Sequence, residues 1–231
     1  KNIFDSCWSF RVNLDAKNVQ DGNGFKIGGF NKDPAAKNKK IPSHVVKNCI
    51  ATRAISNGFY SNHQPGKAAT WFNNRAYDNG RANFDMTEGS EKWELDSSGK
   101  VKDICGTREV LFFNIAHKYR KTLQNNGNQY GSEGNLYSAK IPDNNNRFNS
   151  WNFRDITLSD SDFLSLDVSE LAQERGKDGA LPKVNFMKLN PKGPNYKKLK
   201  TIEDELAKYT VTDDGAIVKK TNSYSIDLVN Y

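Results

Sequence analysis

Residues 21–29 read DGNGFKIGG. Phe25 and Ile27 alternate around Lys26 with the period of two expected of a strand with one buried face, so the two apolar side chains point inward and the lysine outward. Two later stretches share the pattern, ISNGFYSNH around Phe59 and GRANFDMTE around Phe84. Aligned on the phenylalanine they fall 34 and then 25 residues apart and bring Lys26, Tyr60 and Asp85 to one equivalent position. A period of that size is the mark of stacked coils.

A second repeat runs in parallel. DSCWSF, KNCIAT, NNRAYD and FNIAHK align Ser6, Asn48, Asn74 and Asn114. Each unit carries two short apolar runs set apart by Asn, Gly or Asp, the pattern of short strands joined by turns. One such unit is too small to bury its own apolar face, and stacking successive units solves this. Strands that return in one direction once per coil are parallel, so the expected fold is all-β, a right-handed parallel β-helix, with a β-sandwich as the competing architecture. The recurring Asn suits a side-chain amide ladder at a turn. Cys7 and Cys49 share a repeat position and are expected as stacked interior residues, with a disulfide between them the less favoured alternative.

After about residue 140 the repeat ends. ITLSDSDFLSLDVSELAQERGKDGALP suggests a strand followed by a short helix capped by Asp167 or Ser169 and ended by Gly176; VNFMKLNP suggests another strand, and IEDELAKY a second helix. The division expected is coils over 1–165 and a strand and helix tail over 166–231 that packs on or caps the solenoid.

The 231 residues are 36% hydrophobic and carry a net charge of +7, which makes a polar, basic surface around a limited core. A basic balance points to an anionic partner. The lysines lie in loops and do not interleave with aromatics on one platform, which argues against nucleic acid. No apolar run approaches the roughly 18 residues that a spanning helix needs. Three cysteines without CxxC spacing or a paired His do not make a zinc site. The chain opens on KNIFDSCWSF without an initiator Met or a signal-like segment, and any leader is expected to have been removed or to lie outside this chain.

Two familiar readings of the glycine-rich stretch fail. DGNG begins like a calcium loop, but counting from Asp21 puts Lys32 twelfth, where an EF-hand needs a bidentate Glu. The spacing of a phosphate-binding GxxxxGK[ST] loop is absent too. A lysine on an exposed strand is ordinarily just solvated. Flanking glycines, however, suggest a groove floor that a chain-like ligand approaches closely.

DGNGFKIGG, followed by SHVVKNCIATRAISNGFYSNHQPG and WFNNRAYDNGRANFDM, resembles polysaccharide lyase family 9, the β-helical pectate lyases and their rhamnogalacturonan-cleaving relatives. The similarity returns in FNSWNF, SDFLSLD and DGALPKVNFMKL and covers roughly Cys7 to Leu189. It implies that Lys26 is a catalytic base that removes the C5 proton of a uronate, working as the free amine, with activity that rises toward alkaline pH. It also implies Ca2+, which ties down the substrate carboxylate and acidifies C5. Tyr60, Asn62 and His63 then offer stacking or hydrogen bonds, and Arg53, Lys67 and Arg81 offer subsites for anionic sugars.

The family's calcium ligands are aspartates on coils before the lysine. Asp5, Asp15 and Asp21 are scattered and do not form that cluster, so the chain is expected to be the C-terminal part of a longer protein or to hold metal differently. The expected whole is a secreted, periplasmic or cell-surface lyase, a monomer acting on an acidic plant polysaccharide. Homogalacturonan and rhamnogalacturonan are not separated. The alternative is a non-catalytic β-helical carbohydrate-binding protein in which Lys26 pairs with ligand carboxylates.

Overall fold

The computed structural model describes residues 1–12, 22–28, 44–62, 69–89, 97, 103–105, 110–119, 129–130, 136–139, 150–152 and 158–220. Four coils follow one another. Sheet A contains β1 (Ile3–Asp5), β4 (Val45–Lys47), β7 (Thr70–Phe72) and β11 (Val110–Phe112). Sheet B contains β2 (Trp8–Phe10), β5 (Ile50–Thr52), β8 (Arg75–Asn79) and β12 (Asn114–Tyr119), and sheet C contains β3 (Phe25–Gly28), β6 (Asn57–Asn62) and β9 (Ala82–Gly89). Every pairing among these eleven strands is parallel, which is the expected β-helix. Beyond the coils, β10 (Asp103–Cys105), β13 (Gln129–Tyr130), β14 (Leu136–Ala139) and β15 (Ser150–Asn152) join in antiparallel pairings.

The core follows from alternation. Phe25, Phe59 and Phe84 pair in register, and their rings stack at 5.1 and 4.8 Å between centroids. Trp71 closes on Phe59 edge-on from sheet A, while sheet B offers Ala51, Ala76 and Ala116, small enough to let the rings fill the interior. Spacings of 34 and 25 residues therefore mark true coil repeats.

The corner between sheets A and B corrects the second alignment by one residue. Register matches Trp8 with Ile50, Ile50 with Arg75 and Arg75 with Ile115, so Asn74 and Asn114 stand level with Cys7 and Cys49, and Asn73 stands level with Ser6 and Asn48. Ser6, Asn48, Asn73 and Phe113 hold φ between 53° and 56°, the left-handed bend that turns the chain from one sheet into the next. The amide ladder is thus double. Outside, Asn73 donates to Asn48 (2.9 Å) and Asn48 to Asp5 (2.8 Å). Inside, Asn74 accepts from the Cys49 amide (3.0 Å) and donates to the Val46 carbonyl (2.9 Å), and Asn114 accepts from the Asn74 amide (2.9 Å) and donates to the Trp71 carbonyl (2.8 Å). These side chains satisfy backbone groups that the bend takes out of the strand ladders. Cys7 and Cys49 are free thiols; Cys49 is fully buried, and burial pushes its pKa up to about 12.

The C-terminal segment lies along the outside. Phe163, Val168, Leu171, Phe186 and Met187 cover the outward side chains of sheet B, among them Trp8, Ile50 and Tyr77. The hairpin of β16 (Tyr209–Val211) and β17 (Ile217–Lys219) covers Val45 and Phe72 of sheet A, and Thr70 donates to the Gly215 carbonyl at 2.7 Å. The expected helices appear as a short 3-10 turn, Val168–Ala172, capped by Asp167, and as α1, Tyr196–Leu206. The turn ends before Gly176. The expected strand at VNFMKLNP is irregular chain with two isolated bridges, Phe163 to Leu189 and Ser165 to Phe186.

Candidate functional site

The apolar clusters of the C-terminal segment are built on sheets A and B, which leaves the outer side of sheet C as the face to read for function. Lys26 is exposed there between buried Phe25 and Ile27. Its register neighbours are Tyr60 and, one coil further, Asp85. Lys26 Nζ lies 5.7 Å from the centre of the Tyr60 ring, a cation–π contact worth about 0.5–1 kcal/mol at such a site. Asp85 is 2% exposed, so the row runs from an exposed cation past a half-buried aromatic ring to a sheltered carboxylate. Repeat alignment put Asp85 in this row, yet it was not among the predicted site residues; an acidic group at the position of Lys26 and Tyr60 was the signal that could have included it.

Gly24 of the opening stretch serves packing more than access. A Cβ on Gly24 would stand 2.7 Å from the Gly58 carbonyl and 3.1 Å from Ala51 Cβ, so this position is filled by the next coil and does not widen a groove floor. Gly28 has φ of 90°, a conformation that side chains resist, and it ends the strand two residues after Lys26.

The other predicted residues are spread out. Asn62 follows Tyr60 by two residues and pairs in register with Gly28. Arg53 sits at the bend between sheets B and C, where its Nε lies 3.2 Å from Asp78 Oδ2. Arg81 is half-buried just before β9, and its amide donates to the Ser56 carbonyl at 2.9 Å. His63 and Lys67 lie outside the described residues, as do Asp15 and Asp21. Lys26 and Tyr60 therefore come together on one face, Asn62 occupies a register position two residues beyond Tyr60 on the same strand, and the two arginines mark the edge of that face.

Calcium fits poorly with the described residues. No three of their His, Cys, Asp or Glu side chains are grouped to hold a metal ion. Asp5 is engaged by Asn48, Ser6 and Lys47.

Residues 1–99 match a family model described as the right-handed beta helix region of Pel9A-like proteins. Over those residues this chain resembles a Pel9A-like β-helix. Pectate lyase L of Paenibacillus polymyxa is 30% identical over 171 residues, 73% of this chain and 29% of that protein. Pectate lyase L of Dickeya chrysanthemi is 27% identical over 194 residues, 82% of this chain and 36% of that protein. The chain thus spans about a third of the length of the curated relatives it matches. A solved rhamnogalacturonan lyase superposes with a TM-score of 0.52 at 26% identity, covering 82% of this chain and 43% of that one. The resemblance to polysaccharide lyase family 9 read from the motifs holds. No helix among the described residues is long and apolar enough to cross a membrane.

Proposed function

We propose that this chain carries the base-bearing face of a polysaccharide lyase that cleaves pectic uronate polymers by β-elimination. The observation that carries the reading is the exposed amine of Lys26 on the outer face of sheet C, set against the Tyr60 ring. Pectate lyases among the relatives support the substrate class.

In this reading the Lys26 amine takes the proton from C5, alpha to the uronate carboxylate. The C5–H electron pair becomes the C4–C5 double bond, and the C4–O4 bond leaves with its own pair. The proton then sits on Lys26 Nζ, from which solvent or the departing oxygen removes it. Tyr60 holds the amine in place and offers a flat surface to a sugar ring, and Asn62, Arg53 and Arg81, with His63 and Lys67, are proposed for more distant sugar contacts. Calcium, which the family resemblance implies, does not fit the described residues, and none of these steps passes through it. The proposed setting is outside the cell or in the periplasm.

The test is absorbance of the unsaturated uronide while the protein digests pectate or rhamnogalacturonan, with and without a chelator, beside Lys26→Ala. Product that disappears with the substitution supports the role of Lys26. Binding without product would make Lys26 a binding residue in a non-catalytic protein.

A further inference from the structure

The bend between sheets A and B is the vertex of the coil opposite sheet C, and two cavities of about 370 and 300 Å³ open there beneath the C-terminal segment. Asn48, Asn73 and Arg75 line both, so the two form one trough divided by Arg75. That guanidinium is held by Glu203 (2.7 Å) and by the Met187 carbonyl, which makes it part of the wall. The outer amide ladder ends in the trough. Asn73 donates to Asn48, and its own Oδ1 accepts no hydrogen bond among the described residues, because the next coil has Phe113 at this bend. Lys183 and Lys188 border one cavity and Lys220 the other; all three are exposed and make no ion pair among the described residues. Glu203 is the sole acid lining either cavity among the described residues, and Arg75 neutralises it. Trp8 in one cavity and Tyr209 in the other supply aromatic surface.

We infer that this trough is a second binding site, distinct from the Lys26 face, for an acidic oligosaccharide. Unpaired lysines attract uronate carboxylates, the Asn73 Oδ1 accepts from a sugar hydroxyl, and Trp8 and Tyr209 pack against ring faces. The class of ligand rests on the proposal that the protein works on pectic polymers. A chain held at this vertex keeps further polymer at high local concentration around the opposite face.

The experiment titrates saturated trigalacturonate into the Lys26→Ala protein, which prevents turnover, and follows backbone amide resonances. Shifts at Asn48, Asn73 and Lys188, with a Kd raised at least about tenfold by combining Lys183→Glu and Lys188→Glu, support the site. Both lysines are exposed, so this variant keeps its fold; Asn73→Leu gives a second, uncharged test with an expected loss of about threefold or more. An unchanged Kd in both variants, silent amides at the trough, or equal binding of neutral maltotriose overturns the inference. Failure of the lyase reading appears elsewhere, as absence of unsaturated product from the unmodified protein, and leaves this titration readable.

Discussion

His117 Nε2 lies 2.8 Å from Asp160 Oδ1, which joins the fourth coil to the start of the C-terminal segment. The imidazole is 2% exposed, it stacks on Tyr77 and lies tilted against Phe163, and its Nδ1 is buried without a hydrogen-bond partner among the described residues. Burial pushes its pKa below the ordinary 6.5 and outweighs the pull of Asp160 toward the charged form.

A depressed histidine pKa makes the folded state bind fewer protons than the unfolded one. Its contribution to stability is full above the unfolded value and is lost as pH falls through that value toward the lower folded one. Thermal unfolding followed from about pH 8 to pH 5 is expected to show a falling midpoint, and His117→Phe is expected to flatten the curve. A flat curve for the unmodified protein would contradict the assignment.

Arg75 depends on Glu203 in a similar way. Burial lowers the Arg75 pKa while Glu203 restores part of it, so Glu203→Leu leaves a sheltered cation short of its partner. Urea denaturation should show a loss of about 1–3 kcal/mol. Combining it with Arg75→Met should recover much of that loss, because a matched apolar pair leaves no charge stranded.

Gly58→Ala should destabilise by about 1–3 kcal/mol through overpacking. The added Cβ would stand 2.5 Å from Asn79 Nδ2 and 2.8 Å from the Asn83 carbonyl, and Asn79 itself caps the Ala54 amide at 3.1 Å. A midpoint in urea equal to that of the unmodified protein would mean that the stack yields more easily than its contacts indicate.

On the sheet C face, Lys26→Ala should reduce the rate of unsaturated product by at least about 10²- to 10⁴-fold, the usual share of a general base. Tyr60→Phe keeps the ring beside the amine and should retain most of the rate, whereas Tyr60→Ala should lose about tenfold through poorer placement. A rate that is indifferent to Lys26 would remove it from the chemistry.

Cys49 should resist thiol reagents in the folded protein, since burial holds it as the neutral thiol. Mass analysis after labelling with and without urea is expected to find it modified only when the chain is unfolded.

The phenylalanine column was legible because alternation and spacing pointed to the same three residues, and register confirms Phe25, Phe59 and Phe84. The asparagine ladder was legible in kind but displaced by one residue. Asn73 and Asn74 are adjacent and alike in type, yet one occupies the left-handed bend and the other the interior, a choice set by the backbone. The glycine at 24 looked like an open floor because composition does not reveal that the Gly58 carbonyl fills the space. The VNFMKLNP stretch has strand-like composition but packs its apolar residues on sheet B without a continuous partner strand. Lys26 and Tyr60 fell side by side as expected, and Arg53 could not be placed from sequence because its partner Asp78 comes from the next coil.

In all four coils the step from sheet A to sheet B has one length: Lys47 leads to Ile50 just as Phe72 leads to Arg75 and Phe112 to Ile115. The chain varies instead on both sides of sheet C: from seven residues after Asn62 to sixteen after Gly28 and twenty after Gly89 on the way to sheet A, and from two residues after Asn79 to four after Thr52 and fourteen after Phe10 on the way from sheet B. One vertex therefore acts as the molecule's ruler, and the margin beside Lys26 is where length is negotiable. A loop exchanged at that margin can change the surroundings of Lys26 without altering the pitch of the stack.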